Sequence, residues 1–421
     1  MQETIILASG SPRRAKILGD LGRSFTVVKS DADEVCYGDD PERTVRENAL
    51  AKGEAVRSTG AVRVLSADTI VWFNGRIYGK PKDVGEAKRF LRELSGNVHC
   101  VYTAVAFDGD VRVVKSEVKF RELADDAIDA YVAKVNPLDR AGAYDIDESG
   151  DLIVESWTGS YENIMGLPLE PLREWGLGYY ERVFAVRSYE SGVDNRLSLP
   201  SLCNYLQEIA GNHADKLNLG IGKLQKGGVS WMLSRLRVSV KRDVRWGDEL
   251  VVRTWPSGTK GKLSATRDFS GAVGGEDVFE GVSEWLVVDL ASQRIVKLPD
   301  NFKELAPEGT PRVALAQEAS GGKFTALGKT DSTSPILVRR SDHDFNDHVN
   351  NVHYVEWALE AVPESFCERQ TTRLDIVFRQ SAHAGDELES RVEIVDDSTL
   401  RHAIVRKSDE ALLATAETRW S

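Results

Sequence analysis

The sequence predicts an α/β domain followed by an α+β region of two units, each built from a helix on an antiparallel sheet. Residues 1–177 alternate short β-rich runs with amphipathic helical stretches, which is typical of α/β domains. Beyond residue 180 long β-rich segments dominate, and the order of one helix followed by strands occurs twice. The tetrapeptide GDEL follows each helix, at 247–250 and at 385–388. We therefore infer an internal repeat.

Individual elements of the first domain follow from local signals. TIILAS and FTVVKS predict strands, and SPRRAKILGDL and ERTVRENALAKGEAVRS predict helices. DVGEAKRFLRELSG is the clearest helix, because Asp83 can cap it and Gly96 follows its end. The apolar residues on one face of this helix are Ala87, Phe90, Leu91 and Leu94. The two glycines of PLREWGLGYY indicate a domain boundary near residues 176–179.

The second region contains two predicted central helices. LPSLCNYLQEIAGNHADKL carries an apolar stripe at helical spacing, formed by Leu202, Tyr205, Leu206 and Ile209. The second helix is expected over residues 349–361. A passage rich in Gly, Ser, Thr and Pro separates the two units. The predicted segments are 1–177, 178–305, a linker at 306–335, and 336–421.

Composition and charge exclude several classes of protein. The chain has 421 residues, 41% of them hydrophobic, which suits a globular protein of several domains. Its net charge of −12 argues against non-specific binding to nucleic acid or to a membrane surface. We expect a cytoplasmic protein, because the N-terminus does not resemble a secretory signal and no apolar run approaches the about 20 residues that span a bilayer. The four cysteines form no CxxC pair, so neither a zinc ribbon nor a disulfide framework is predicted.

The segment ASGSPRR, residues 8–14, predicts a phosphate site. It follows a strand and opens a helix, so Ser11 can cap, Pro12 suits the first turn, and free N–H groups with Arg13 and Arg14 would face an anion. Alone, such a segment is more often a capped helix with two solvated arginines. Further motifs accompany it, however: DADE at 31–34, Lys52, SADTIV at 66–71, GKP at 79–81, LSG at 94–96, DRAGAY at 139–144 and MGLP at 165–168.

In this order and spacing, residues 1–177 resemble the Maf family of nucleoside triphosphate pyrophosphatases. The resemblance implies hydrolysis of nucleoside triphosphates to the monophosphate and diphosphate, with Asp68 as general base. It also implies a divalent metal, Mg²⁺ or Mn²⁺, at Glu34 and Asp68. Such chemistry requires cationic groups on the phosphates and a base for water. The implied substrate-binding residues are Ser9, Ser11, Arg13, Lys52, Thr69, Lys80 and Asp147.

Base preference is implied by three positions. Arg13 and Thr69 match the branch of the family that prefers dTTP and UTP. The third position departs from that branch, because Asp147-Glu148 stands where the branch has Gln-Gly. A carboxylate cannot donate a hydrogen bond to a pyrimidine carbonyl, as an amide can.

The segment DFNDHVNNVHYVEW, residues 344–357, allows three readings. A metal site would need further ligands, and no second His or Cys group lies at customary spacing. Capping by Asn346 or Asp347 is expected, since a helix starts here. Capping needs one such residue, however, and residues 344–351 include six polar side chains, namely Asp344, Asn346, Asp347, His348, Asn350 and Asn351. The third reading is a catalytic site.

Residues 180–421 resemble the acyl-acyl-carrier-protein thioesterases, which are double hotdog proteins with a D-x-N-x-H-V-N-N motif. VRSYE at 186–190, LQEIAGNH at 206–213 and WGDEL with TW at 246–255 extend the resemblance. It implies that Asn346 and His348 face the thioester and that Asp344 orients them, without a cofactor. The helix N-terminus would face the oxyanion. The implied partner is acyl carrier protein bearing an acyl chain.

The thioesterase resemblance has one departure. The family usually carries a Glu four residues before a Gly-Asp pair, and Ser381 stands there. His348 or Asp344 would have to take over, or this half would be slow or inactive. His383 is a candidate substitute, because two residues along a regular strand point to the same face.

The leading hypothesis is a bifunctional hydrolase. The alternative is an active pyrophosphatase with a hotdog half that binds acyl groups or dimerises. In a third reading both halves act on acyl groups, and the loop at residues 11–14 binds the phosphate of phosphopantetheine. This reading gives SADTIV and GKP no function. Maf-like proteins are often dimeric and a double hotdog pairs its units within one chain, so a homodimer stays an open expectation.

Overall fold

The computed structural model describes residues 4–21, 23–175, 177–298, 302, 306, 310–318, 327–344 and 348–421. The chain divides into two compact units, and the boundary along the sequence falls between Tyr179 and Tyr180. Within the predicted linker at 306–335, residues 307–309 and 319–326 lie outside the described residues. The linker prediction is wrong in part, because a short helix spans Ala314–Gln317 and a strand begins at Ser332. Among the described residues, no helix has the length and apolarity needed to cross a membrane.

The first unit is an α/β domain, as predicted. Its described strands form one sheet in the order β2-β1-β3-β5-β6-β7, with β4 paired to β3. Strand β1 runs parallel to β2 and β3, and the other pairs are antiparallel. The elements are β1 (Ile5–Leu7), α1 (Pro12–Asp20), β2 (Phe25–Val27), α2 (Pro41–Arg57), β3 (Val64–Phe73), β4 (Arg76–Tyr78), α3 (Val84–Leu94), β5 (Val98–Phe107), β6 (Asp110–Phe120), α4 (Asp125–Lys134), β7 (Val154–Thr158), α5 (Tyr161–Met165) and α6 (Leu169–Glu174).

Helix α3 shows how local sequence determines these elements. The Asp83 side chain accepts a hydrogen bond of 2.8 Å from the N–H of Glu86, which caps the helix as predicted. Its four predicted apolar residues are all buried in the domain core. Gly96 follows the helix with φ of 67°, a conformation that glycine adopts without steric cost.

The second unit is a double hotdog. Its described strands form one sheet in the order β14-β16-β17-β18-β15-β9-β12-β11-β10-β8, with β13 paired to β12. The antiparallel pair β9 and β15 joins the two halves, with Val238 opposite Leu374. The elements are β8 (Tyr180–Ala185), α7 (Leu199–Lys216), α8 (Ile221–Lys226), β9 (Val229–Val240), β10 (Glu249–Lys260), β11 (Ser264–Val273), β12 (Glu276–Asp289), β13 (Ile295–Val296), α9 (Ala314–Gln317), β14 (Ser332–Leu337), α10 (Asn351–Glu360), α11 (Glu364–Cys367), β15 (Thr371–Phe378), β16 (Glu387–Ile394), β17 (Thr399–Arg406) and β18 (Ala411–Trp420).

The two predicted central helices are α7 and α10. The apolar stripe of α7 is buried in one core that also includes Val352 and Val355 of α10. Helix α10 begins at Asn351, and its N-cap is Asn350, whose Oδ1 accepts a hydrogen bond from the N–H of Val352. The prediction that Asn346 or Asp347 caps this helix is therefore wrong, because the helix starts later than the apolar pattern suggested.

The internal repeat is confirmed by backbone geometry. Gly247 and Gly385 have φ values of 91° and 92°. The aspartate after each glycine accepts a hydrogen bond from the backbone N–H three residues before it. Both turns therefore lead into their strands, β10 and β16, in the same way.

The loops that precede α7 and α10 are also equivalent. Ser191 bridges Leu197 in the first loop, and His343 bridges Val349 in the second. Within the second loop, the N–H of Asp344 donates to the carbonyl of His348 over 2.8 Å, and the corresponding bond in the first loop spans 2.9 Å. By this equivalence His348 corresponds to Arg196.

Candidate active sites

In the first unit, Asp68 is the centre of a polar cluster. It lies in β3 and is 6% exposed. Lys52 Nζ is 2.6 Å from its Oδ1, and Asn48 Nδ2 donates to its Oδ2 over 3.1 Å. Both partners lie on α2, four residues apart, so one face of that helix presents them together. Sequence reasoning missed Asn48, although its helical spacing from Lys52 was available as a signal.

Glu34 joins this cluster through Lys52. Its Oε1 lies 2.7 Å from Lys52 Nζ, so the three predicted residues Glu34, Lys52 and Asp68 are brought together. Burial raises the pKa of Glu34, but the hydrogen bond and positive charge of Lys52 outweigh burial and place this pKa below its usual value. Glu34 is therefore a carboxylate at neutral pH.

The two carboxylates fit a divalent metal only in combination with substrate. Among the described residues, no group of three or more His, Cys, Asp or Glu side chains is arranged to hold an ion. Mg²⁺ commonly binds through one or two carboxylates together with substrate phosphates and water. Glu34 and Asp68, which both contact Lys52, are the carboxylates that would hold such an ion.

Arg14 connects three of the motifs. Its guanidinium donates to Ser9 Oγ, to Thr69 Oγ1 and to the carbonyl of Gly166, over 2.9, 3.0 and 2.8 Å. Burial lowers its pKa to about 10. Arg14 thus holds ASGSPRR, SADTIV and MGLP together, whereas the sequence suggested a side chain facing an anion or solvent. Ser11 occupies the N-cap position of α1 but makes no side-chain capping bond.

The other predicted cations each contact a carboxylate. Arg13 Nη1 is 3.1 Å from Asp145 Oδ2, and the exposed Lys80 Nζ is 2.5 Å from Asp139 Oδ1. The buried Asp145 also pairs with Arg140. Sequence reasoning missed Asp145, although it directly follows DRAGAY. Two of the three predicted phosphate-binding cations therefore contact carboxylates within residues 139–145.

Asp147 is exposed and lies next to the Asp145 cluster. Its N–H donates to Asp145 Oδ1 over 2.8 Å, and the Tyr161 hydroxyl donates to its Oδ1 over 3.2 Å. Lys16 Nζ is 3.8 Å from its other carboxylate oxygen. Burial and the nearby Asp147 carboxylate raise the pKa of Tyr161, so Tyr161 remains a hydrogen-bond donor.

In the second unit, Asp344, His348 and Ser381 line one cavity of about 1380 Å³. Asn350 and Asn351, at the N-terminus of α10, line it as well. The predicted residue Asn346 lies outside the described residues. The described part of the motif therefore converges with the helix N-terminus on one space.

The same cavity has an apolar wall contributed by the first hotdog. The residues that form this wall are Leu219, Ile221, Trp231, Met232, Leu233, Trp285 and Val288. They lie on and around α8, β9 and β12. A long apolar group can therefore be sheltered in one half of the unit while its polar end reaches the motif in the other half.

The N-terminus of α10 lies at this space, because Asn350 and Asn351 line it. Two backbone N–H groups of the first turn are already hydrogen-bonded to Asn350. Its Oδ1 accepts from the N–H of Val352, and its carbonyl accepts from the N–H of His353. The N–H of Asn351 has no acceptor among the residues that the structure describes. Helix N-termini carry partial positive charge, so this end favours an oxyanion.

Ser381 lies beside α10 because Tyr354 holds its loop. The Tyr354 hydroxyl accepts a hydrogen bond of 2.7 Å from the N–H of Ala382. Strand β15 ends at Phe378, so the premise that Ser381 and His383 share a regular strand is wrong. Ser381 lines the cavity, whereas His383 is not among the described residues that line it.

The equivalent position in the first hotdog carries an ion pair. Arg196 corresponds to His348, and the GDEL repeat aligns Asp243 with Ser381. Arg196 Nε lies 2.9 Å from Asp243 Oδ2. The two halves therefore share a loop conformation but not its chemistry.

Comparison with protein families divides the chain at the same place. Residues 4–175 match the family of Maf-like proteins. Residues 178–306 match the N-terminal domain of acyl-ACP thioesterases, and residues 326–421 match their C-terminal domain.

Curated relatives cover the first unit. A dTTP/UTP pyrophosphatase of Thermotoga maritima is 45% identical over 172 residues, which are 39% of this chain and 84% of the relative. One from Thermococcus gammatolerans is 43% identical over 185 residues, 42% of this chain and all of the relative. One from Bacillus cereus is 42% identical over 174 residues, 40% of this chain and 91% of the relative.

Solved structures cover the second unit. The 12:0-ACP thioesterase of Umbellularia californica is 26% identical, with a TM-score of 0.52 over 58% of this chain and 97% of that protein. An acyl-ACP thioesterase of Bacteroides thetaiotaomicron has a TM-score of 0.51 and 21% identity over 58% of this chain and 98% of that one, a likeness of fold.

Proposed function

Because the chain belongs to the Maf family over its first unit and carries both acyl-ACP thioesterase domains over its second, we propose that it is a bifunctional hydrolase. One activity converts a nucleoside triphosphate to the monophosphate and diphosphate. The other releases a fatty acid from acyl carrier protein. The observation that carries this proposal is that each unit has its own cluster of polar residues suited to one of these reactions, around Asp68 and around His348.

In the pyrophosphatase reaction, Asp68 takes a proton from the water that attacks the α-phosphorus. The bond from that phosphorus to the bridging oxygen breaks, and diphosphate leaves. Lys52, Arg13 and Lys80 bind the phosphate oxygens and balance the charge that develops on them. A bound divalent ion, held by Glu34 and Asp68, would supply further neutralisation of the phosphates.

The proposed nucleotide preference is for dTTP and UTP. Support comes from the relatives named dTTP/UTP pyrophosphatase and from Arg13 and Thr69. Thr69 is held by Arg14 and Arg13 by Asp145, so both have defined orientations. Asp147 opposes this preference, because its carboxylate accepts hydrogen bonds and cannot donate one to a pyrimidine carbonyl.

In the thioesterase reaction, water attacks the thioester carbonyl and the thiol of the carrier leaves. The acyl chain lies along the apolar wall, and the carbonyl oxygen faces the N–H of Asn351 at the start of α10. His348 accepts the proton of the attacking water and passes it to the leaving thiolate, and Asp344 and Asn346 orient the reacting groups. Ser381 has no carboxylate to offer, so we assign the base to His348, which lines the same cavity.

Hydrolysis assays on two variants test both activities. The purified chain is incubated with dTTP and Mg²⁺, and separately with octanoyl-, dodecanoyl- and hexadecanoyl-acyl-carrier-protein. Asp68→Asn should abolish only the first activity, and His348→Ala only the second. If wild type cleaves dTTP but no acyl-carrier-protein, the alternative holds, and the hotdog half binds acyl groups or dimerises.

A further inference from the structure

We infer that Gln207, in the first hotdog, is a positioning residue for the thioesterase site in the second hotdog. The inference rests on the proposed thioesterase function and extends it to a residue outside the D-x-N-x-H motif. Gln207 lies on α7, and its Nε2 donates a hydrogen bond of 2.9 Å to Oδ1 of Asn350. Asn350 is the N-cap of α10, so the bond links the two halves at the helix terminus.

The acceptor of this bond, Asn350 Oδ1, also caps helix α10. Asn350 Oδ1 also accepts the N–H of Val352 over 3.0 Å, which is the capping bond of α10. The N–H of Asn350 donates to the carbonyl of Asp342 over 2.9 Å, so the residue is fixed from both sides. A second donor on Oδ1 restricts the side-chain rotamer further. Gln207 therefore restrains the first turn of α10, where Asn351 presents its N–H.

The internal repeat shows that this contact exists in one half only. By the equivalence of the two loops, Gln207 corresponds to Leu359 and Asn350 corresponds to Ser198. Leu359 has no side-chain donor, and the Ser198 hydroxyl interacts with Ser201 of its own helix. The polar link is present where Asp344 and His348 lie, and not at the loop with Arg196.

Gln207 also lies at the cavity itself. Gln207, Asn350, Asp344 and His348 all line the same space. Reacting groups must be held close to their productive geometry, and a misplacement of about 1 Å can reduce the rate on the order of 10²-fold. Loss of the Gln207 donor should therefore affect the chemical step more than substrate binding.

The test compares two glutamines that each donate a hydrogen bond between the halves. Gln207→Met keeps the length of the side chain and removes the donor. The control is Gln370→Met, since Gln370 Nε2 donates from the second half to Asp243, which corresponds in the first hotdog to Ser381. Both variants of the full chain are assayed with dodecanoyl-acyl-carrier-protein, and dTTP hydrolysis reports on the integrity of the rest of the chain.

We expect Gln207→Met to lower kcat about 10- to 100-fold while KM stays within about twofold, which is the pattern of a lost transition-state interaction. Gln370→Met should retain wild-type kcat. Adding Gln207→Met to Asn350→Ala should cause no further loss, because the two residues act through one bond.

Three outcomes would overturn the inference. One is an unchanged kcat in Gln207→Met, and another is an equal loss in Gln370→Met. The third is a full additional loss in the double variant. If wild type cleaves none of the three acyl-carrier-proteins, the proposed thioesterase function itself fails, which is a separate result. If the Gln207→Met variant unfolds, the Gln207→Glu variant is assayed in its place. Glutamate has the size of glutamine and also lacks the donor at neutral pH.

Discussion

The ammonium nitrogen of Lys52 lies 2.6 Å from Oδ1 of Asp68. Both side chains are largely shielded, with 15% and 9% of their surfaces exposed, so solvent screens this pair less than a surface pair. Lys52 also contacts Glu34, which makes it the shared cation of the proposed base and the proposed metal-binding carboxylate. A phosphate that binds Lys52 must therefore either displace one of these carboxylates from the ammonium group or contact Lys52 together with them.

Replacing Lys52 should impair nucleotide hydrolysis. Lys52→Met removes the charge that we propose to stabilise the transition state, and we expect kcat for dTTP to fall on the order of 10²- to 10³-fold. Lys88→Met is the control, because Lys88 forms an ion pair of 2.7 Å with Asp129, whose side chain is 57% exposed. Equal activity of the two variants would contradict the proposed role of Lys52.

Replacing Asp147 should change base preference. Asp147→Gln provides an amide donor for the pyrimidine carbonyl, whereas the wild-type carboxylate can only accept, for instance from the amino group of cytosine. We expect the ratio of kcat/KM for dTTP to that for dCTP to rise about 3- to 10-fold, the worth of one hydrogen bond. Competition assays with both nucleotides measure this ratio directly. An unchanged ratio would show that Asp147 does not contact the base.

Restoring a carboxylate at Ser381 should accelerate thioester hydrolysis. Ser381 lines the cavity with Asp344 and His348, so a glutamate there can reach the attacking water. A general base contributes about 10² to 10⁴-fold, and we expect Ser381→Glu to raise kcat toward the lower end of that range. Ser381→Gln matches the size without the base. The idea fails if both variants behave alike.

The buried His402 should make the second unit sensitive to acid. Its Nδ1 donates to the carbonyl of Ala358 in the last turns of α10, and its Nε2 accepts from the Thr418 hydroxyl. Burial lowers its pKa to about 4, below the about 6.5 of an unfolded histidine. The unfolded chain therefore binds a proton that the folded chain excludes. Stability present above pH 6.5 should be lost as the pH falls toward 4.

Urea unfolding between pH 7 and pH 4.5 measures this effect. The contribution of His402 to the free energy of unfolding should decline by at most about 1.4 kcal/mol for each pH unit by which the pH is lowered. His402→Asn keeps a donor and an acceptor without a titrating ring, so its unfolding free energy should fall less steeply over the same range. Parallel curves for the two proteins would contradict this assignment.

The sequence by itself determined the two units and singled out the motifs that each unit carries. Helix α3 follows from its cap and apolar period, and the GDEL repeat predicts the duplicated turn. These signals are local, since capping, helical periodicity and positive-φ glycines depend on residues within a few positions. Motif order likewise identified Asp68 and His348 as candidates.

Only the tertiary structure decided which partners complete each cluster. Arg14 looked like a surface cation but is buried against Gly166, 152 residues away, and Asn48 reaches Asp68 from another element. Gln207 meets Asn350 across 143 residues of chain. Such contacts depend on how helices and strands pack, and a hydrogen bond requires its two atoms to lie within a few tenths of an ångström of ideal distance. Spacing along the chain carries no such information between distant segments.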